Sequence, residues 1–365
     1  MAKYVLSLVQ TEDLQAILKP HQFGVGFSNG CETALHTIQQ CLSNPQERYV
    51  AMCIDYKNAF NCVGRSEMIT QLFKHKALQP IWSFCHWCYS SPTNLALRNR
   101  DGTYNITKFL MSVCGCRQGG PESALLFAIA LQPVLIELSR KYPSIIIVAY
   151  LDDVTILGPN ADMVIKAYEF LKAEAKRILN LEVETKKCKF IYFNNGSNID
   201  HLDAQPPILT NDNEELSAQV ILERYGIPIY RDAAIILGSA VGCDESKIHD
   251  ILLEHIGESH NQLFNLLQHP SLSVRNAMLL LRQCMVPKLN YLTRTVAPIV
   301  INSILQSFDT KVINTALHIL DINQDLAGDS SVRARVVNQL RACLRTGGFG
   351  LISRHPHPTL HIFRL

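Results

Sequence analysis

No apolar run in this chain approaches the ~20 residues needed to span a bilayer, and the opening MAKYVLSLVQTEDL holds too short an apolar segment for a secretory signal. These two absences predict an intracellular protein, nuclear or cytoplasmic, with no membrane partner. Net charge is also scarce. The sequence sets 34 Lys and Arg against 32 Asp and Glu, a balance of +2, so nucleic-acid binding cannot be inferred from the total. The 12 cysteines are scattered, and without an export signal they are expected as reduced core residues. Cys85, His86 and Cys88 form CHWC, but no second pair at zinc-site spacing follows, which argues against a structural zinc. The loop Lys19 to Gly30, KPHQFGVGFSNG, lacks the lysine of a phosphate-binding loop, so its glycines support only a turn that delivers a helix over 31–42.

What is present is a chain of 365 residues, 47% hydrophobic, large enough for two or three subdomains around substantial cores. It is organised around Ile145 to Gly158, IIIVAYLDDVTILG, where two β-branched runs flank the adjacent Asp152 and Asp153. The runs read as buried strands, and Tyr150 to Asp153 falls where a hairpin would turn. Adjacent carboxylates repel, so the pair implies either a solvated turn or bound cations. A third carboxylate, Asp55, emerges at the end of the apolar run YVAMCIDY, and Phe60 follows five residues later. Phe60 reads either as a core aromatic or as a ring beneath a nucleotide sugar.

Further along, a helix is expected over 66–78 with Ser66 as N-cap, and NRDG at Asn99 to Gly102 is a hairpin turn. Arg117 to Pro121 forms a tight polar loop before Ser123 to Leu138, which is too apolar for an exposed face and predicts a buried helix bent near Pro133. Ala161 to Leu179 is an amphipathic helix, Leu181 to Phe193 a strand with Lys187 near its middle, and 194–218 a polar loop. Val220 to Leu222, Gly226 to Ile229 and Ile235 to Leu237 suggest a small sheet. Three helices follow, from Ile248, from Ser271 to Met285 and from Val300 to Leu320. Ser271 to Pro298 carries Arg275, Arg282, Lys288 and Arg294 and no acid, and Ser330 to Leu365 carries six arginines and no acid. Such stretches suit a phosphate backbone or a solvated helix face, and the spacing of seven puts Arg275 and Arg282 on one face.

Asp55, Asp152 and Asp153, on strands that could lie side by side, can form an oxygen-rich site for two Mg²⁺ ions serving an in-line phosphoryl displacement. DYKNAF at Asp55 to Phe60, RQGGPESALLF from Arg117, AYLDD from Ala149, the segment around Lys187 and ILGSAVG from Ile236 occur in the order of the reverse transcriptase blocks. From about Gln22 onward the chain resembles the reverse transcriptases of non-LTR retrotransposons. The resemblance implies an α+β, right-hand polymerase fold: partial, truncated fingers over 1–48, a palm with an antiparallel sheet over 49–243, a helical thumb over 244–345 and a tail over 346–365. It implies RNA-directed DNA synthesis on an RNA template and a DNA primer, with dNTPs and two Mg²⁺ ions.

Carried over to this sequence, Asp55, Asp152 and Asp153 match the catalytic metal ligands, joined by the main-chain carbonyl of Tyr56. Phe60 matches the aromatic that excludes a ribose 2′-OH, and Gln118 and Gly119 match the loop that contacts nucleotide and template. Lys187 matches the lysine that protonates the leaving pyrophosphate, Leu237, Gly238 and Ser239 the primer grip, and the basic helical stretches the duplex-holding thumb. The chain departs from the pattern at Gly120, where an acid is usual, and at Glu122, where an apolar residue is usual. The fingers blocks expected before Gln22 are not recognisable, and neither an endonuclease nor zinc-knuckle cysteines are seen after Gly347–Gly348. The alternative is therefore a truncated or co-opted domain that binds nucleic acid without catalysis. A metal-dependent hydrolase using the same acids has little support, since no residue is evidently placed to activate water.

Overall fold

The computed structural model describes residues 2–44, 49–192, 208–209, 215–322 and 330–353. The chain divides into two compact units after Asp232. In the first, the strands are β1 (Val50–Ile54), β2 (Thr93–Arg98), β3 (Tyr104–Ser112), β4 (Ile146–Tyr150), β5 (Asp153–Gly158), β6 (Lys189–Tyr192), β7 (Ile208–Leu209), β8 (Glu215–Leu216) and β9 (Ile229–Arg231). Five of them form one sheet in the order β4-β5-β1-β6-β9, antiparallel except for the β6–β9 pair. β2 and β3 make a separate hairpin about the NRDG turn, as its chemistry predicts. β7 and β8 pair with each other, whereas 194–207 and 210–214 of the expected polar loop lie outside the described residues.

The helix Ala161–Leu179 has the expected bounds. It begins where the Asn160 side chain accepts from the Met163 amide and ends at left-handed Asn180. Its buried Ala161, Val164, Tyr168, Leu171, Ala175 and Leu179 recur every three or four residues, one face of a helix laid on β1 and β5. Ser123–Lys141 is a core helix with most of its residues buried, and only its last turns expose charge at Glu137, Arg140 and Lys141. At 19 residues it is also long and apolar enough to cross a membrane, which corrects the expectation that no segment reaches that length. Buried Gln132 on this helix donates to the Leu18 carbonyl at 3.0 Å and so ties it to the end of the helix Thr11–Leu18.

Three local expectations change. The helix expected over 66–78 starts at Arg65 with Gly64, not Ser66, in the N-cap place, and runs to Lys74. Lys187 is not within a strand. The Glu184 amide bonds the Asp55 carbonyl at 2.9 Å, the Glu184 carbonyl then accepts from Lys187 at 2.9 Å, and this turn delays β6 until Lys189. Val220 to Leu222 lie in a helix, Ala218–Tyr225, closed by Ser217 and left-handed Gly226; a run of three apolar residues has no period to distinguish the two states.

The second unit begins with the hairpin β10 (Ala233–Ile236) and β11 (Ser239–Gly242). Leu237 (φ 47°) and Gly238 (φ 76°) form its two-residue turn, with both φ values positive as a primed turn requires. Glu245–Leu267, N-capped by Asp244, packs against Pro298–Ile319 around Ile248, Leu252, Ile256, Phe264, Ile304 and Phe308. Between them Val274–Leu280 passes into a π turn, Leu281–Met285, where one regular helix was expected.

Candidate active site

Three acids arrive at one end of the sheet for reasons of register. β1 and β5 pair from Val50↔Gly158 to Ile54↔Val154, so the next position sets Asp55 opposite Asp153. Directly opposed residues of an antiparallel pair share a face. Asp152 belongs to the two-residue turn between Tyr150 and Asp153, whose other member, Leu151, has φ 58°. The hairpin expected from the sequence is therefore present, and Asp55 meets it from the neighbouring strand.

This proximity is registered electrostatically. Burial, then the Asp152 and Asp55 charges, push the Asp153 carboxyl up to about 6, although its side chain has a solvent-facing edge. Burial and Asp55 likewise raise Asp152. A carboxylate pair raised by burial first and by neighbouring negative charge second is what a divalent cation would relieve, and hard cations prefer oxygen donors. The donor chemistry fits such an ion. Among the described residues no group of three His, Cys, Asp or Glu side chains is gathered as a metal cluster. Lys187, mostly exposed on its turn, places Nζ 4.0 Å from Asp55 Oδ1. Tyr56 bridges to Val183, and its buried hydroxyl, without a hydrogen-bond partner, is pushed far up by burial.

Phe60 sits on the short helix Ala59–Cys62 and stacks on Phe127, ring centres 4.9 Å apart and 15° from parallel. Its carbonyl accepts from the Cys116 amide at 2.7 Å. Beside it Gly115 (φ 73°) has no room for a Cβ, which would lie 2.3 Å from the Asn61 carbonyl. These contacts join the Phe60 helix to the loop carrying Gln118 and Gly119, both exposed, with Gly119 at φ 83°. The loop is closed by Gly120 N to Arg117 O at 3.0 Å and by Ser123 Oγ donating to Arg117 O at 2.6 Å.

The two departures from the family pattern are neighbours in space. Glu122 is buried and accepts from the Tyr89 hydroxyl at 2.7 Å. A Cβ on Gly120 would stand 2.8 Å from Glu122 Oε1 and 2.7 Å from Ser123 Oγ, so the glycine makes room for the carboxylate. The Arg65 and Arg117 guanidinium groups flank the Tyr89 ring at 5.6 and 5.9 Å. Neither Tyr89 nor Gly115 stood out in the sequence; the one usable signal was that the atypical Gly120 and Glu122 occur two residues apart.

Leu237, Gly238 and Ser239 form a well-supported turn within the second unit. The Tyr291 hydroxyl donates to the Leu237 carbonyl at 2.7 Å, and buried Ser239 bonds Thr295 at 2.8 Å. Arg275, Lys288 and Arg294 are exposed, whereas Arg282 is half-buried with Nε unpaired. The spacing of seven thus does not give the two arginines equal exposure where the α-helix yields to the π turn. Cys85 and Cys88 are buried, as expected of core thiols, and burial raises both.

The family described as "Reverse transcriptase (RNA-dependent DNA polymerase)" matches residues 2–228. The Retrotransposable element SLACS 132 kDa protein of Trypanosoma brucei gambiense is 28% identical over 145 residues, which are 39% of this chain and 11% of that protein. Among solved structures, apo telomerase from Candida tropicalis aligns at 11% identity and a TM-score of 0.45, covering 96% of this chain and 60% of that one. Telomerase from Candida albicans, solved with the TWJ fragment of telomeric RNA, aligns at 11% identity and a TM-score of 0.42, covering 100% of this chain and 59% of that one. The chain therefore spans less than two thirds of each of these relatives.

Proposed function

The chain belongs to the reverse transcriptase (RNA-dependent DNA polymerase) family, and from that membership we propose that it extends a DNA primer on an RNA template, in the manner of a non-LTR retrotransposon enzyme. The family's right-hand polymerase fold accounts for the α+β architecture, with the five-stranded sheet as palm and the helical second unit as thumb. The observation that carries the reading is the register that sets Asp55 opposite Asp153 and beside Asp152, with Asp153 lifted to about 6.

In this reading Asp55, Asp152, Asp153 and the Tyr56 carbonyl hold Mg²⁺. The chemistry supplied by two bound ions is acidification of the primer 3′ hydroxyl and neutralisation of the triphosphate. Phe60, backed by Phe127, occupies the space a ribose 2′-OH would need and selects dNTPs. Gln118 and Gly119 contact the incoming nucleotide and the template. Lys187, on its exposed turn beside Asp55, gives a proton to the leaving pyrophosphate. The turn Leu237–Gly238–Ser239 places the primer end, and Arg275, Arg282, Lys288 and Arg294 follow the phosphate backbone by shape and charge.

Primer extension on an RNA template with Mg²⁺ and dNTPs, comparing the parent with an Asp152→Asn, Asp153→Asn double variant, tests the reading. Extension by the parent only is expected. If neither extends the primer while both bind the duplex with a steep salt dependence, the polymerase reading fails and the chain is a nucleic-acid-binding domain.

A further inference from the structure

The tip of the Asp152–Asp153 hairpin is held from outside the hairpin. Leu151 has φ 58°, a conformation that a bulky L-residue rarely adopts, because its Cβ crowds the following carbonyl. Something must offset that strain, and the loop rejected above as a phosphate binder supplies it. Gln22 has no exposed surface, and its carboxamide grips the Leu151 backbone at both ends. Its Oε1 accepts from the Leu151 amide at 2.7 Å, and its Nε2 donates to the Leu151 carbonyl at 3.1 Å. The same Oε1 accepts from the Gly24 amide at 3.2 Å, which orients the carboxamide.

The main chain around Gln22 is fixed against β4. Ala149 donates to the His21 carbonyl at 2.8 Å and accepts from the Phe23 amide at 2.7 Å, a parallel bridge at Gln22↔Ala149. Gly24 closes the far side. A Cβ there would lie 2.7 to 2.8 Å from Leu151 Cγ, Cδ2 and N, so only glycine lets the loop come this near. The carbonyl that Gln22 holds belongs to the peptide bond joining Leu151 to Asp152. Holding that peptide plane sets the direction in which Asp152 leaves the hairpin, and with it the pair.

We propose that Gln22 is a positioning residue for the Asp152–Asp153 pair, acting through the main chain of Leu151. It touches no reacting atom. The proposal rests on the polymerase reading for its functional consequence, but its structural content can be tested without activity.

Two variants separate its parts. Gln22→Met keeps the length of the side chain and removes all three bonds; Gln22→Glu keeps an acceptor for the Leu151 amide and loses the donor to its carbonyl. In the metal-free full chain, Leu151 amide exchange is expected to quicken by about tenfold in Gln22→Met, with exchange elsewhere in the sheet unchanged, and by less in Gln22→Glu. Mn²⁺ binding measured by calorimetry should weaken in the same order. In primer extension kcat should fall by roughly a hundredfold for Gln22→Met at unchanged dNTP KM and duplex affinity, since a small misplacement of reacting groups is that costly. Unchanged Leu151 exchange, unchanged Mn²⁺ binding, or a kcat equal to the parent's would each overturn the proposal. If Gln22→Met does not fold, the same readings on Gln22→Glu decide it. If the parent extends no primer, the polymerase reading fails, while exchange and Mn²⁺ binding still decide the role of Gln22.

Discussion

Gly120 and Glu122 each break the family pattern, and their contact predicts that the two departures are coupled. Replacing Gly120 with an aspartate, the acidic type usual at that place, would build a Cβ 2.8 Å from Glu122 Oε1 and 2.7 Å from Ser123 Oγ, and a second carboxyl beside a buried one. Overpacking and like-charge repulsion together should destabilise the first unit by about 3 kcal/mol. Glu122→Leu alone deprives the buried Tyr89 hydroxyl of its 2.7 Å acceptor, leaving Ser123 Oγ at 3.4 Å, a loss of about 1–2 kcal/mol. In the double variant the carboxyl that the introduced aspartate would meet is gone. The combined loss should then be smaller than the sum by at least about 1 kcal/mol, although the Arg117 carbonyl, 3.1 Å from the new Cβ, keeps some crowding. Urea unfolding of the full chain followed by tryptophan fluorescence reads this locally, because Trp82 and Trp87 lie on Gln79–Tyr89, the helix that carries Tyr89. Additive losses would refute the coupling and leave Gly120 and Glu122 as independent substitutions.

Buried His260, ring against Phe308 and Nδ1 unpartnered, is pushed down from 6.5 to about 4 by burial first and then by Lys288, His255 and Lys311. The unfolded chain takes up the proton first, so stability is intact above pH 6.5 and falls from there toward pH 4. Between about pH 7.5 and 5 the loss is about 2 kcal/mol, and His260→Leu should remove that pH dependence in native-state amide exchange of Pro298–Ile319; an unchanged pH slope would contradict it. Gly115→Ala forces a Cβ against the Asn61 carbonyl at a positive φ, and should cost about 3 kcal/mol and lower primer extension by displacing Phe60. Thermal unfolding within about 1 °C of the parent would show that the segment yields freely.

Much of the sheet was legible because its signals are local. The β-branched runs around Asp152 and Asp153, the apolar period of Ala161–Leu179 and the NRDG turn are each written in consecutive residues, and each element formed where its pattern lay. Lys187 was misplaced because LEVETKKCKFIYF was read as one strand from its apolar ends, while the turn at its charged centre is imposed by the Asp55 carbonyl, just past the end of β1. Val220 to Leu222 failed for the opposite reason, too few residues to show a period.

Gln22 marks the boundary between the two kinds of information. Its neighbours KPHQFGVG carry no periodicity, and a polar side chain beside glycines is ordinary loop chemistry. What makes it unusual is a partner 129 positions away, on a backbone whose left-handed turn could not be known from the letters YLDD. The acids themselves advertise chemistry through their type and their flanks. The groups that aim them do so through the main chain, where any side chain of the right shape suffices and the sequence of the aimed segment need not change. A site's donors are thus readable from composition and spacing, and its supports only from the fold, which is why Gln22, Gly24, Gly115 and Tyr89 appeared only once the strands had been brought together.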